Sequence, residues 1–157
     1  MPTTAVRPGD PALRARLERA IEGEVRFDRF TRGLYATDAS HYQIEPLGVV
    51  FPRSTADVEA VLEVARDMGV PVLPRGGGTS QCGQTVGRAI VVDTSRHLTG
   101  IGEVSRNGPD TSDGDGAEIE VQSGTVLDHL NAALRPQGLW FPVDPSTGSR
   151  ALRPPPR

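Results

Sequence analysis

The sequence predicts a mixed α/β domain, a small mixed sheet with flanking helices, and three observations carry that expectation. An apolar run, GVVF at 48–51, is followed by a helical pattern over 55–68 and a second β candidate, PVLP at 71–74. AIVVD at 89–93 is the strongest strand signal in the chain, and AEIEVQSG at 117–124 alternates apolar and polar residues as a strand does. A second helical pattern over 126–135 closes the series. The first strand–helix–strand unit favours a parallel crossover, because parallel strands need a long connection.

Each element has a local reason. Asp10-Pro11 reads as an N-cap followed by proline at the first helical position, and Leu13, Leu17 and Ile21 recur at helical spacing before Gly23, giving a helix over 11–22. Residues 24–46 show no firm periodicity. Pro52 stops the strand at 48–51, and Ser54 with Asp57 forms a capping box. Val58, Val61, Leu62 and Ala65 then line one face of the helix that Gly69 ends. The prolines of 71–74 favour an edge strand. Ile101 to Val104 lies in a further β segment, and SRNGPDTSDGDG at 105–116 is a solvated or disordered loop with no large apolar side chain. Thr125 and Asp128 make a second capping box ahead of Leu127, Leu130 and Leu134. GLWFPVDPSTG at 138–148 reads as an extended segment entering a turn, and the final SRALRPPPR has neither pattern.

The bulk numbers narrow the function. A chain of 157 residues suits one modest domain or a piece of a larger one. The formal net charge of −3, with no basic stripe, gives no support to a nucleic-acid role. No stretch approaches the length of a membrane span, and the N-terminus lacks the apolar core of a secretory signal, so the expected location is cytoplasmic. With Cys82 as the single cysteine, no disulfide, zinc knuckle or iron–sulfur cluster forms within the chain. His41, His97 and His129 have no partner at ligand spacing, and the Asp113–Asp115 stretch lacks the closing acidic residue of a calcium loop. Asp93 is placed to cap the turn into Ser95.

The most informative segment is the glycine loop Arg75-Gly76-Gly77-Gly78-Thr79-Ser80, between two β segments. Consecutive glycines permit positive φ, and successive amides can then converge into an anion nest, to which Thr79 and Ser80 add hydroxyls. The same glycines also suit a plain tight turn. Two phosphate motifs fail here. The dinucleotide fingerprint needs a glycine where Gln81 stands, and the helix it requires is replaced by a strand. The Walker pattern over GTSQCGQT has Gln84 at its lysine position.

The run PRSTADVEAVLEVARDMGVPVLPRGGGTSQCGQ at 52–84 resembles the FAD-binding domain of p-cresol methylhydroxylase (PCMH) type, and VVDTSRH, EVQSGTVLDHLNAAL and FPVDPST follow in the family's order. YATDASHYQIEP at 35–46 is similar to the D-lactate and glycolate dehydrogenase branch. The resemblance implies the N-terminal subdomain of such a domain: a helical lead over 1–33, a partial FAD-binding domain over 34–147 and a divergent Pro/Arg-rich tail over 148–157. It implies that Arg75, Gly76, Gly77, Gly78, Thr79, Ser80, Gly83 and Gln84 wrap the FAD pyrophosphate with backbone amides, and that Pro142, Asp144, Pro145 and Ser146 run beside the flavin. Thr79 stands where covalent relatives carry histidine, which implies noncovalent FAD. The implied activity is oxidation of a small 2-hydroxy acid. After FPVDPST the family's continuation and substrate cap are not seen, so the expectation is an incomplete unit, inactive alone, whose cap resides on a second polypeptide or is lost. A non-catalytic binding or interaction module is the alternative. No catalytic residue is assigned.

Overall fold

The computed structural model describes residues 6–106, 117–143 and 145–150. Among the described residues, six strands and four α-helices run in the order α1 (Pro11–Ala20), β1 (Glu24–Arg26), α2 (Arg29–Leu34), β2 (Gly48–Phe51), α3 (Thr55–Met68), β3 (Val72–Arg75), β4 (Ile90–Asp93), β5 (Ile101–Ser105), β6 (Glu118–Val121) and α4 (Leu127–Leu134). They form two sheets. The larger has the order β1-β2-β4-β3, and the smaller is the hairpin β5-β6.

In the larger sheet β4 pairs in parallel with both β2 and β3, while β1 adds to β2 antiparallel. The expected parallel crossover exists, but β4 enters between the two strands that α3 connects. β3 is the edge strand its prolines call for. All four residues of β2 and of β4 are buried, so both faces of the sheet are covered. On one face Val50, Ile90 and Val92 pack under Leu13 and Leu17 of α1 and Val61, Val64 and Ala65 of α3. On the other, Val49, Phe51 and Val91 pack with Tyr35 and Leu73. The Tyr35 ring meets Phe51 edge-on at 5.9 Å, and the Arg96 guanidinium lies 3.7 Å from the Phe51 ring centroid.

The helix ends follow their local chemistry in most places. Asp10 accepts from the Leu13 amide at 2.8 Å with Pro11 at the first turn, and Gly69 closes α3 at φ +62°. Ser54 caps α3 through the Asp57 amide at 3.2 Å. The reciprocal half of that box does not form: the buried Asp57 carboxylate accepts from the amides of Glu22 at 2.9 Å and Arg53 at 2.8 Å, tying the end of α1 to the start of α3.

Several expectations are corrected. Residues 24–46, read as irregular, contain β1 and α2, each too short to display a period. Leu62 is 50% exposed, and Val64 takes its place in the core. The second capping box is absent. Val126 is the N-cap of α4 without a side-chain bond, and Thr125, itself buried, donates instead to the Gly100 carbonyl at 3.1 Å. Helix α4 ends at Leu134 and tightens into a 3₁₀ turn over Arg135–Gln137. Most of the loop expected at 105–116, and the tail beyond Arg150, lie outside the described residues.

Candidate functional site

The glycine loop leaves the C-terminal end of β3 and returns into β4. Gly78 adopts φ +65° and Gly83 φ +75°, conformations that glycine takes without steric cost. Gly76 and Gly77 have no positive φ. Gly77 needs its missing side chain for another reason: a Cβ there would collide with the carbonyl oxygen of Arg150. The turn at 146–150 is therefore drawn against the loop. Arg150 donates its amide to the Thr147 carbonyl at 2.8 Å, and a Cβ on Gly148 would come within 2.7 Å of the Asp128 carboxylate.

Among the described residues, the amides of Gly76, Gly77, Gly78, Thr79, Ser80 and Gln81 donate to no protein acceptor. The Ser80 hydroxyl accepts from the amides of Cys82 and Gln84, each at 3.3 Å, and donates to the Gln84 side-chain carbonyl. Ser80 and Gln84 thus curl the second half of the loop and leave the first half's donors unspent. Six neighbouring amides without a protein partner, bent by a left-handed glycine, suit a polyanion. The residues present fit a diphosphate.

The Arg75 side chain does not join those donors. Its guanidinium gives hydrogen bonds to the carbonyls of Tyr35 at 3.3 Å, Thr85 at 3.2 Å and Thr37 at 2.9 Å. The Tyr35 hydroxyl donates to Asp93, whose other carboxylate oxygen accepts from the amide and hydroxyl of Ser95, the turn cap expected from the sequence. Burial, followed by the Asp93 bond, pushes the Tyr35 phenol above its ordinary range. Asp38 accepts from Ser40 and Thr85, and these bonds, Ser40 first, lower its carboxyl to about 2.

Among the other sequence-assigned positions, Pro142 and Ser146 are exposed and Pro145 half-buried, and Asp144 lies outside the described residues. The structure brings the turn after Ser146 to the glycine loop through Arg150. The sequence did not connect Tyr35, Thr37 and Asp38 to the loop, nor Tyr42, whose ring a Cβ on Gly83 would strike. The one available signal was the polar density of YATDASHY, which has no periodicity to explain it. Cys82 is exposed, and no group of His, Cys, Asp and Glu among the described residues is arranged to hold a metal.

A mixed sheet with a mainly parallel core presents, at one strand end, a loop whose amides have no protein acceptor among the described residues. Residues 46–152 match the FAD binding domain family, and the chain belongs to that family. It is 41% identical over 145 residues to D-2-hydroxyglutarate dehydrogenase of Pseudomonas putida, covering 88% of this chain and 13% of that protein. It is 30% identical to the glycolate oxidase subunit GlcD of Bacillus subtilis, covering 81% of this chain and 26% of the relative. A mitochondrial cytochrome-linked D-lactate dehydrogenase of Kluyveromyces lactis is 32% identical over 65% of this chain and 17% of its own length. The chain therefore spans a small part of the curated relatives it matches. Solved structures share the fold. Alkyldihydroxyacetonephosphate synthase superposes with a TM-score of 0.74 at 20% identity, over 90% of this chain and 28% of that one. 4-Ethylphenol oxidase from Gulosibacter chungangensis gives 0.58 at 18%, over 83% and 25%.

Proposed function

We propose that this chain is the pyrophosphate-holding part of an FAD-dependent dehydrogenase that oxidises a small 2-hydroxy acid. The observation that carries the reading is the row of unspent amides from Gly76 to Gln81 in a member of the FAD binding domain family. The class of substrate comes from relatives named for D-2-hydroxyglutarate, glycolate and D-lactate. Oxidising such an acid to its 2-oxo acid removes two electrons, and bound FAD supplies the acceptor. The residues of this chain do the holding. The amides of Gly76–Ser80 and the hydroxyl of Thr79 face the diphosphate, Ser80 and Gln84 keep the loop curled, and the 142–146 segment runs beside the flavin.

In this reading FAD is noncovalent, since Thr79 offers no imidazole to bond the ring. The flavin-holding part covers 34–147, preceded by the lead at 1–33 and followed by the tail at 148–157. Gly148 and Arg150 of that tail already touch Asp128 and Gly77. The substrate cap comes from chain beyond these residues or from a second polypeptide. No helix among the described residues is long and apolar enough to cross a membrane, and the proposed location is the cytoplasm.

The test is a titration of the full chain with ADP, FAD and FMN, followed by the amide signals of residues 76–81. ADP and FAD should shift those signals with similar dissociation constants, on the order of 0.1–1 mM, because the diphosphate supplies most of the contact with this loop. FMN, with one phosphate, should bind more weakly. Equal binding of FMN and FAD, or no response of these amides to 5 mM ADP (roughly a −3 kcal/mol limit), would overturn the reading.

A further inference from the structure

The loop proposed to hold a diphosphate carries a cation at its first residue, and the obvious role for that cation is a phosphate ligand. The geometry gives it a different one. Among the described residues, all three hydrogen bonds of the Arg75 guanidinium go to main-chain carbonyls, two on the segment before β2 and one at the loop's exit. Its central carbon lies 4.8 Å from the Tyr35 ring centroid. It also fills the hollow of the loop itself, since a Cβ on Gly78 would stand 2.6 Å from Nη2. Thr85 is held twice at that exit: its carbonyl accepts from Arg75, and its hydroxyl donates to Asp38 at 2.9 Å.

We propose that Arg75, assisted by Asp38, is a positioning residue of the pyrophosphate loop, fixing its shape by joining both ends of the loop to residues 35–38 and giving no hydrogen bond to phosphate. The proposal rests on the functional reading above and deepens it. It also gives the YATDASHY segment a task that its lack of periodicity did not reveal: the segment is the brace on which the loop's amides are held open. A planar fork serves three carbonyls at separate angles. An ammonium is a single point and does not. A phosphate ligand, by contrast, keeps much of its effect as a lysine, because the charge does most of the work.

The experiment uses the full chain and the variants Arg75→Lys and Arg75→Ala, with two readouts. The first, made without ligand, is the backbone order parameter of the amides of residues 76–85. We expect values near about 0.85 in the parent and below about 0.6 in both variants, with β2 and β4 unchanged. The second is ADP affinity, which should fall about tenfold in both variants, to values within about twofold of each other, as preorganisation is lost. An unchanged loop order parameter overturns the proposal. So does a lysine variant that keeps ADP affinity within about threefold of the parent while alanine loses it. Should either Arg75 variant fail to fold, Thr85→Val and Asp38→Asn decide the matter, since each removes one tie from a half-buried site outside the core. Loosening confined to residues 83–85 supports the clamp, and no change in either variant overturns it. The first readout needs no nucleotide. A parent loop that is ordered by Arg75 but ignores ADP therefore sinks the functional reading and leaves the clamp standing.

Discussion

The two sheets of this molecule are stabilised in different ways. β2 and β4 are buried along their whole length, with helices on one face and Tyr35, Leu73 and Arg96 on the other. β5 and β6 contain no buried residue. Their half-buried Ile101, Val104, Ile119 and Val121 lean on a single helix through Leu127, Leu130 and Leu134. Two-stranded hairpins are marginal unless something packs on them, and here α4 covers one side only. The comparison teaches where rigidity is available. The glycine loop springs from the larger sheet, whose strands cannot shift without opening a core on both faces. Helix α4, which covers the hairpin, holds the 146–150 turn that approaches that loop, with Asp128 beside Gly148.

Removing Phe51 should have the largest effect. It is fully buried between the Tyr35 ring and the Arg96 guanidinium, and Phe51→Ala should cost about 3–5 kcal/mol. A urea titration checks this. A loss below about 1.5 kcal/mol would mean that the second face of the large sheet is no better covered than the hairpin.

Leu130→Ala tests the other side of the comparison. Leu130 is also fully buried, but beyond Leu127 and Leu134 the apolar residues packed around it are only half-buried, so the site can collapse, and the expected cost is near the low end of the range, about 2–3 kcal/mol. Amide exchange should then speed up in β5, β6 and α4 while β2 and β4 keep their protection. Uniform acceleration across both sheets would show that they unfold as one unit.

The join between the regions is tight. Gly124 donates to the Leu98 carbonyl at 2.7 Å, and a Cβ there would collide with the Thr94 carbonyl. Gly124→Ala should force the hairpin away from the turn after β4, at a cost of about 1–3 kcal/mol. Thermal melts measure it. A neutral substitution would mean that the join is looser than the Thr125–Gly100 bond beside it indicates.

The contrast also explains what the sequence could and could not reveal. Elements of the large sheet were legible because burial on both faces demands continuous apolar runs, as in GVVF and IVVD, and because α3 needs a full face of its own. β1 and α2 were not. They span 3 and 6 residues, and their place is set by pairing with β2 and by the Asp28 cap, both invisible to periodicity. The Thr125 box failed because tertiary partners took both of its groups: the Thr125 hydroxyl donates to the Gly100 carbonyl, and the Asp128 amide donates to the Gly148 carbonyl. In the site, the glycine loop was legible from composition. Its brace was not, because Arg75 meets Thr37 across 38 residues of chain, through a backbone carbonyl that carries no residue signature, and Thr85 meets Asp38 across 47. The close approach of Arg150 to Gly77 is of the same kind.

The smallest effect expected is a titration at that brace, and its sign is fixed by the bonds around Asp38. The carboxylate accepts from the Ser40 amide at 2.8 Å and from the Thr85 hydroxyl at 2.9 Å, and hydrogen bonds to the charged form favour it. Its folded value therefore falls from 3.8 to about 2, with the Ser40 side chain the largest cause and the Ser40 amide and Thr85 hydroxyl lesser ones. A lowered folded value means that the tie is fully present above the unfolded value of 3.8 and is lost as the pH falls through about 2. The loop should keep its brace at pH 4 and loosen only below pH 3, while the hairpin, which Asp38 does not touch, shows no matching step. The carboxyl carbon shift of Asp38 reads the midpoint directly. Thr85→Val should move that midpoint part of the way back toward 3.8, and Ser40→Ala should move it further, in the order of their contributions. A midpoint already near 3.8 in the parent would show that Asp38 holds neither Ser40 nor Thr85 and gives the brace no support. The order of the two regions would then have to be explained by the large sheet's packing alone.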